Sequence, residues 1–208
     1  MALEIPKTTY TGKIKEITLG QGDKAVTVGG ETAYPFYLFE GEMPHLPRIA
    51  MEVLDRPPEE WPAAVREPFE GVTDDPVAWA KRCIDEYGAE MIALSLESTD
   101  PNGLDRGAEE AAAVVKKVAD AIDVPLIVWG TSNVDKDTEV LRAVAEACQD
   151  KRLIIGPVQE ANHKRIGASA IGYKHTVAAS SPIDINLAKQ LNILLGNLGV
   201  DNGHIIMD

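Results

Sequence analysis

The hydrophobic pattern of the chain changes after residue 48. Polar and apolar residues alternate over 13–20 (KIKEITLG) and again over 24–30 (KAVTVGG), with Gln-Gly-Asp between them. Alternation with a period of two, interrupted by a short turn, predicts a β-hairpin. The aromatic and proline-rich residues 31–48 are expected to form an irregular linker. Residues 1–48 are therefore predicted to be an N-terminal unit of hairpin and linker.

From residue 49 onwards, short apolar runs alternate with segments of helical periodicity. The predicted strands cover 49–55, 90–98, 124–130, 152–158, 175–180 and 204–208. The predicted helices cover 75–88, 106–122, 137–149, 162–172 and 181–199. Nearly continuous apolar strands are typical of a parallel sheet covered on both faces, built from βαβ units. Residues 49–208 are thus predicted to form one α/β unit.

Three helix starts carry capping signals. Asp75-Pro76 combines an N-cap residue with proline at the first helical position. Asp137 is predicted to cap the helix 137–149, with Glu139 in its first turn. Ser181-Pro182-Ile183-Asp184 is similar to a capping box. We therefore expect these helices to begin at Pro76, directly after Asp137, and at Pro182.

The alternation fits either an open doubly wound sheet or a closed (β/α)8 TIM barrel. No G-x-G-x-x-G follows the first strand, which disfavours a dinucleotide-binding sheet. The glycines of 167–172 (GASAIG) lack the Lys-Ser/Thr of a P-loop and are interpreted as part of a helix. We predict an α/β fold, a (β/α)8 TIM barrel with an N-terminal β-hairpin. Six strands instead of eight suggest that this barrel is truncated after the sixth strand.

Charge and cysteine content exclude several classes of protein. The net charge of −13 and the sequence pI of about 4.7 disfavour a nucleic-acid partner. No apolar run is long enough for a membrane span, and the N-terminus does not resemble a signal peptide. Cys83 and Cys148 are the two cysteines, and apolar neighbours predict buried structural thiols. A cytoplasmic location is expected, with no membrane partner.

In a barrel, the chemistry lies at the carboxyl ends of the strands. Hydroxyls and amides outnumber carboxylates among the residues predicted there, which are Asp55, Glu97, Ser98, Thr99, Trp129, Thr131, Ser132, Asn133, Gln159, Glu160, Ser180, Ser181, Asp184 and Asp208. No nucleophile, acid–base pair or metal cluster is assembled in this set. His163 and His175 are interpreted as structural. We therefore predict no catalytic residue and no metal ligand.

Four longer stretches resemble a known family. They are IALSLESTDPNG (92–103), PLIVWGTSNVDKD (125–137), LIIGPVQEANHK (153–164) and KHTVAASSPIDINLAKQLNILL (174–195). Together they are similar to the small subunit of the corrinoid iron–sulfur protein and to the delta subunit of the acetyl-CoA decarbonylase/synthase complex. The resemblance extends over essentially the whole chain, including the hairpin. It depends on extended similarity and not on a catalytic signature.

The resemblance implies a (β/α)8 barrel that pairs with a large subunit as a heterodimer. The large subunit of that family carries a [4Fe–4S] cluster and a corrinoid (cobamide), which the small subunit shares. Such a pair takes a methyl group from methyltetrahydrofolate through a methyltransferase. It delivers the methyl group to acetyl-CoA synthase in the anaerobic Wood–Ljungdahl pathway. The chain would then be a methyl-carrier subunit without an active site of its own.

A corrinoid-covering surface follows as a hypothesis. The corrin rim carries neutral amide arms, which Ser, Thr and Asn side chains match without adding charge. A tryptophan can supply an apolar wall. The predicted cofactor-binding residues are Trp129, Thr131, Ser132, Asn133, Ser180, Ser181 and Asp184. The alternative is that these are turn, cap and core residues, with Ser181 as a helix cap and Trp129 in the core.

Other functions stay open at this point. A barrel methyltransferase that binds a pterin could use Asp55, Asn133 and Asp208 at its strand ends. An architectural subunit would hold the complex together without touching the cofactor. An aldolase-type barrel is disfavoured because no lysine lies at a predicted strand end. Trp61, in the long excursion 56–72, is either a partner contact or part of the packing of its own loop.

Overall fold

The fold consists of a small antiparallel hairpin followed by a parallel sheet with helices between its strands. The computed structural model describes residues 5–208. The hairpin strands are β1 (Ile17–Leu19) and β2 (Val26–Val28). The sheet strands are β3 (Ala50–Leu54), β4 (Met91–Ser95), β5 (Leu126–Trp129), β6 (Ile154–Val158), β7 (Thr176–Ala179) and β8 (Ile205–Met207). The helices are α1 (Ala63–Arg66), α2 (Pro76–Asp85), α3 (Ala108–Ala121), α4 (Val134–Ala147), α5 (His163–Tyr173) and α6 (Ile185–Leu198).

The six sheet strands lie side by side in their sequence order, each parallel to the next. A doubly wound sheet would reverse its strand order at a switch point, and no reversal occurs here. The predicted α/β fold with a parallel sheet is confirmed. β3 and β8 form the two edges of this sheet and do not pair with each other in the described chain. The closed eight-stranded barrel therefore stays a prediction.

Alternate residues of the strands point into two separate apolar clusters. One face of the sheet packs against the helices, through residues such as Ile92, Leu94 and Val128. The other face, called the inner face, contributes Met91, Ile154 and Ala178, which pack against Ile17, Leu19 and Val26 of the hairpin. The hairpin thus covers the inner face at the amino-terminal ends of the strands. The carboxyl-terminal ends of the six sheet strands form the opposite edge of the sheet, which is called the carboxyl edge.

The hairpin approaches the sheet closely at its turn. Gly20 has φ of +75°, and a Cβ atom there would lie 2.8 Å from the Cγ atom of Pro125. The predicted hairpin is present, although its strands are shorter than the alternating sequence runs. Glycine is required at position 20 because both the backbone conformation and the space exclude a side chain.

One predicted helix start is confirmed and two are wrong. The Asp75 carboxylate accepts from the Val77 N–H over 2.9 Å, and α2 begins at Pro76 as predicted. α4 begins earlier than expected, because the side chain of Asn133, and not that of Asp137, accepts from the Lys136 N–H over 3.1 Å.

The last helix, α6, begins later than predicted. The carboxylate of Asp184 accepts from the N–H groups of Asn186 and Leu187 over 2.9 and 3.2 Å. Ser181 is therefore not its cap. The reason is competition between candidate caps, because the chain offers Ser181 and Asp184 within three residues of each other. The one at Asp184 has the extended backbone that a cap needs.

Trp61 packs against helix α2. Its ring meets that of Trp79 on α2 edge-on, with the ring centroids 5.4 Å apart, and Phe69 contacts the same indole at 5.7 Å. Trp79 is completely buried. Aromatic packing thus attaches the excursion between β3 and α2 to that helix. A partner contact of Trp61 stays a prediction.

The cysteines and two of the histidines are structural, as predicted. Cys83 and Cys148 are free thiols and fully buried. His175 is buried, accepts from the Leu153 N–H over 3.2 Å and contacts the Ala145 carbonyl oxygen at 2.9 Å. The His163 ring lies 2.6 Å from the Glu160 carbonyl oxygen. In residues 5–208, no helix has the length and apolar character that crossing a bilayer requires.

Candidate functional site

The carboxyl edge contains two clefts. One has a volume of about 280 Å³ and lies beyond β3, β4 and β5, where Arg56, Glu97 and Thr131 line it. The other, of about 610 Å³, is more open and lies beyond β6 and β7, where Glu160, Ser180, Pro182 and Leu187 are among the lining residues. All seven predicted site residues end or follow β5 or β7, so they belong to this edge.

Trp129 is the last residue of β5 and lies on the inner face. It is half-buried, and it packs against the cluster formed by the hairpin and the inner face. On the neighbouring strand, a Cβ atom at Gly156 would lie 2.9 Å from the Cζ3 atom of Trp129. Gly156 thus makes room for the indole. Trp129 is both a core residue and part of the surface at the carboxyl edge.

The residues that follow β5 form a turn that Asp137 holds in place. The Asp137 Oδ1 atom accepts from the Thr131 N–H over 2.9 Å and from the Thr131 hydroxyl over 3.3 Å. A Cβ atom at Gly130 would clash with this same oxygen, so only glycine fits there. Ser132 is exposed with φ of +66°, and Asn133 is exposed while its amide oxygen caps α4.

Asp137 is the residue of this turn that sequence reasoning misplaced. It is 1 % exposed, although it lies in the first turn of α4, where an exposed cap was expected. Burial raises its pKa, and the hydrogen bonds from Thr131 partly oppose that effect. The sequence signal for this contact was Gly130-Thr131 directly after β5. A buried carboxylate needs N–H donors, and a glycine lets the backbone come close to it.

The residues that follow β7 contact the end of β8. The Ser180 hydroxyl donates to the Asp208 carboxylate over 3.1 Å, and the Ser181 N–H donates to the Asp208 carbonyl oxygen over 3.2 Å. Ser181 is buried, whereas Asp184 is exposed and caps α6. The two groups of predicted residues are separated by β6. Two strand spacings put them about 10 Å apart on the same edge.

Asp55 and Ser98 were both predicted at the strand ends, but their pairing was missed because they are far apart in sequence. The buried carboxylate of Asp55 accepts from the Ser98 N–H over 2.9 Å and from the Ser98 hydroxyl. Burial raises the pKa of Asp55, and the bonds from Ser98 oppose it. Next to this pair, the Ser95 hydroxyl donates to Glu52 over 2.7 Å. The ends of β3 and β4 are therefore the acidic side of the carboxyl edge.

The ends of β5 and β7 form the less charged side. The residues there present hydroxyls, an amide and an indole, with Asp184 and Asp208 as carboxylates. Among residues 5–208, no group of three His, Cys, Asp or Glu side chains is placed to hold a metal ion. Neutral donors beside an aromatic wall suit a large organic group with amide arms.

Comparison with solved structures shows the type of fold. The chain is similar to a dihydropteroate synthase of Xanthomonas albilineans, solved with 4-aminobenzoic acid. The TM-score is 0.51 at 17% sequence identity, and the match covers 77% of this chain and 59% of that one. At this level of identity the likeness concerns the fold alone.

Comparison with protein families is more specific. The family of the CO dehydrogenase/acetyl-CoA synthase delta subunit matches residues 16–208, and the chain belongs to that family. The delta subunit of the acetyl-CoA decarbonylase/synthase complex from Archaeoglobus fulgidus is 38% identical over 97% of this chain and 46% of its own length. The corresponding subunit from Methanocaldococcus jannaschii is 36% identical over 99% of this chain and 52% of its own.

The resemblance drawn from the sequence is therefore confirmed at the level of the family. The chain spans about half the length of the curated relatives that it matches. Subunits of this family are parts of a multi-subunit complex, as their names state.

Proposed function

We propose that this chain covers one face of a corrinoid methyl carrier that a partner subunit holds. The partner would be the large corrinoid iron–sulfur subunit, which also carries the [4Fe–4S] cluster. The pair would receive a methyl group from a methyltetrahydrofolate methyltransferase and pass it to acetyl-CoA synthase. When bound, the corrinoid would supply the cobalt that carries this group. Family membership supports the assembly, and the carboxyl edge supports the contact.

The observation that carries the proposal is the placement of Trp129. Its indole lies over Gly156 at the end of the inner face, half-buried, where the lack of a side chain on the glycine lets it lie against the sheet. Such an aromatic surface can cover the apolar part of a macrocycle and exclude water from it. No side chain of Lys or Arg follows Trp129 before Lys136.

The flanking polar groups differ in how free they are. Thr131 and Asp184 use their side chains in hydrogen bonds within the chain. Ser132 and Asn133 are exposed and close to the indole in sequence. We assign the Ser132 hydroxyl and the Asn133 amide nitrogen the role of meeting the amide arms. Ser180 would take the same role beyond β7, after release of its hydroxyl from Asp208. Ser181 is buried, so its hydroxyl is not assigned to an amide arm.

The test is the affinity of this chain for its large subunit, measured with and without the corrinoid. If the chain touches the cofactor, loading the partner strengthens the pairing, by about tenfold for a modest contact energy. Trp129→Ala should remove that difference, whereas Ile193→Ala, an exposed substitution on α6, should preserve it. Equal affinity for loaded and corrinoid-free partner would instead identify an architectural subunit.

Asn133 allows a sharper variant. Asn133→Asp keeps a side-chain oxygen that can cap α4, so the fold is retained. It replaces the amide donor with a negative charge next to the indole. We expect the corrinoid-dependent gain in affinity to fall, while the affinity for the corrinoid-free partner does not change.

A pterin-binding role is the second candidate, because the fold is shared with a dihydropteroate synthase. Asp55 and Asp208 lie at the strand ends that such a role would use. However, Asp55 is buried and bonded to Ser98, and Asp208 is bonded to Ser180. Calorimetric titration of the chain alone with methyltetrahydrofolate separates the two functions. Our proposal predicts no binding, and saturable binding would favour the pterin role.

A further inference from the structure

Residues 32–42, called the aromatic loop, form a closed loop with a fixed base. The Thr32 N–H donates to the Glu42 carbonyl oxygen over 3.1 Å, and the Glu42 N–H donates back to the Thr32 hydroxyl over 2.8 Å. Gly41 packs against this base, since a Cβ atom there would lie 2.7 Å from the Thr32 Oγ1 atom. The loop thus leaves the hairpin and returns to it with a defined shape.

The segment before the hairpin fastens the loop from outside. The Glu40 carboxylate accepts from the Thr8 N–H over 3.0 Å and from the Tyr10 hydroxyl. The ring of Tyr34 meets that of Tyr10 edge-on, with the centroids 5.1 Å apart. Polar and aromatic contacts therefore hold the loop at both its base and its flank.

The aromatic loop exposes its large apolar side chains instead of burying them. The exposed fractions are 66% for Tyr34, 95% for Phe36, 50% for Tyr37, 45% for Leu38 and 46% for Phe39. The chain has three phenylalanines, and two of them are here. Scattered apolar residues are normal on a surface, but a contiguous set on an ordered loop marks an interaction site.

Charge and position indicate the kind of partner. Glu31 and Glu42 flank the exposed rings, in a chain whose net charge is −13. The loop adjoins the hairpin, where His45 lies 3.5 Å from Glu16 and Pro44 packs on Gly30. The hairpin meets the sheet at the amino-terminal ends of the strands, where Gly20 approaches Pro125. The loop shares no residue with the carboxyl edge, so its partner is a separate one.

We propose that the aromatic loop docks into an apolar pocket rimmed by Lys or Arg on another subunit of the decarbonylase/synthase complex. Phe36 and Phe39 enter the pocket, and the flanking glutamates face its basic rim. This surface is separate from the proposed corrinoid contact and does not depend on it. It would tether the chain to the assembly and leave the carboxyl edge able to meet different partners.

The test uses the complex assembled without this subunit as the binding probe. The double variant Phe36→Ala/Phe39→Ala should bind it at least about tenfold more weakly, because aromatic anchors carry much of the energy of such interfaces. Both side chains are exposed, so folding is unaffected. Ile193→Ala, a 60% exposed apolar residue on α6, is the matched control and should bind like the natural chain.

Charge provides the second arm of the experiment. Raising the salt concentration from about 0.05 M to about 0.5 M should weaken binding of the natural chain. Glu42→Lys should bind more weakly at low salt and lose most of this salt dependence, because it removes a carboxylate that faces the basic rim. The loop keeps its shape, because the hydrogen bonds of residue 42 to Thr32 use its backbone and not its carboxylate. Retention of full affinity by the double phenylalanine variant would overturn the proposal. So would a monomer–dimer equilibrium abolished by that variant, which would identify a second copy of this chain as the occupant.

Discussion

The buried carboxylate of Asp137 and the backbone of Thr131 are joined across the turn that follows β5. The Thr131 N–H donates to Asp137 over 2.9 Å, and the Thr131 hydroxyl shares the same oxygen. The turn bearing Ser132 and Asn133 is consequently fixed from beneath by α4. A rigid turn of this kind holds its exposed side chains in one arrangement. A ligand that fits this arrangement binds with a smaller loss of conformational entropy.

Asp137→Ala should destabilise the fold by about 1–3 kcal/mol, because it leaves the partly buried Thr131 N–H without a partner. Glu139→Ala on the exposed side of the same helix turn should change stability by about 0.5 kcal/mol or less. Urea unfolding followed by circular dichroism measures both. Equal stability of the two variants would show that the Asp137 contact contributes nothing.

Asp55 gives a prediction about pH. Its pKa in the fold is raised by burial above the ordinary value of 3.8, so the folded state favours the protonated form. The resulting stabilisation is complete below pH 3.8 and is lost as the pH rises through the raised pKa. The unfolding free energy of the natural chain minus that of Asp55→Asn should therefore fall over this window. The slope is at most about 1.4 kcal/mol per pH unit.

A pH-independent difference between the two proteins would contradict this assignment.

The two glycines of the hairpin turn separate conformational strain from contact. Gly20 and Gly22 have φ of +75° and +69°, but only at Gly20 would an added Cβ atom meet another side chain, that of Pro125 at 2.8 Å. Gly22→Ala should lower the free energy of unfolding by about 1–2 kcal/mol, because alanine is strained in the left-handed conformation. Gly20→Ala should cost about 1–3 kcal/mol more, since overpacking adds to the same strain. Thermal unfolding of both variants checks the difference.

The cysteines should be unreactive in the folded chain. Burial raises the pKa of Cys83 and that of Cys148 to about 11, so neither forms an appreciable thiolate population under mildly alkaline conditions. Iodoacetamide should label neither residue without denaturant and both residues in urea. Labelling of either cysteine in the folded protein would show that its helix opens readily.

The sequence predicted elements where a local pattern determines the structure. Alternation at Ile17 and Leu19 reported the face that the hairpin buries, and Asp75-Pro76 reported a helix start. Both signals act over a few residues and do not require knowledge of the fold. The parallel pairing of the sheet strands followed from the βαβ rhythm in the same way.

Sequence reasoning failed where a contact joins residues that are distant in sequence, and where two residues compete for one role. Asp55 and Ser98 meet only because β3 and β4 are neighbours, although the two partners are 43 residues apart in sequence. Asp137 is a residue type that commonly caps helices, but its carboxylate bonds Thr131, and Asn133 caps α4 instead. Spacing along the chain does not reveal either arrangement. The acidic and less charged sides of the carboxyl edge therefore became visible only in three dimensions.

The most direct measurement is a structure of this chain assembled with its corrinoid-loaded large subunit. The proposed function predicts that the corrin ring lies against the carboxyl ends of β5 and β7, in van der Waals contact with Trp129. The proposed function would be contradicted by a corrin ring that lies away from these strand ends and makes no contact with Trp129.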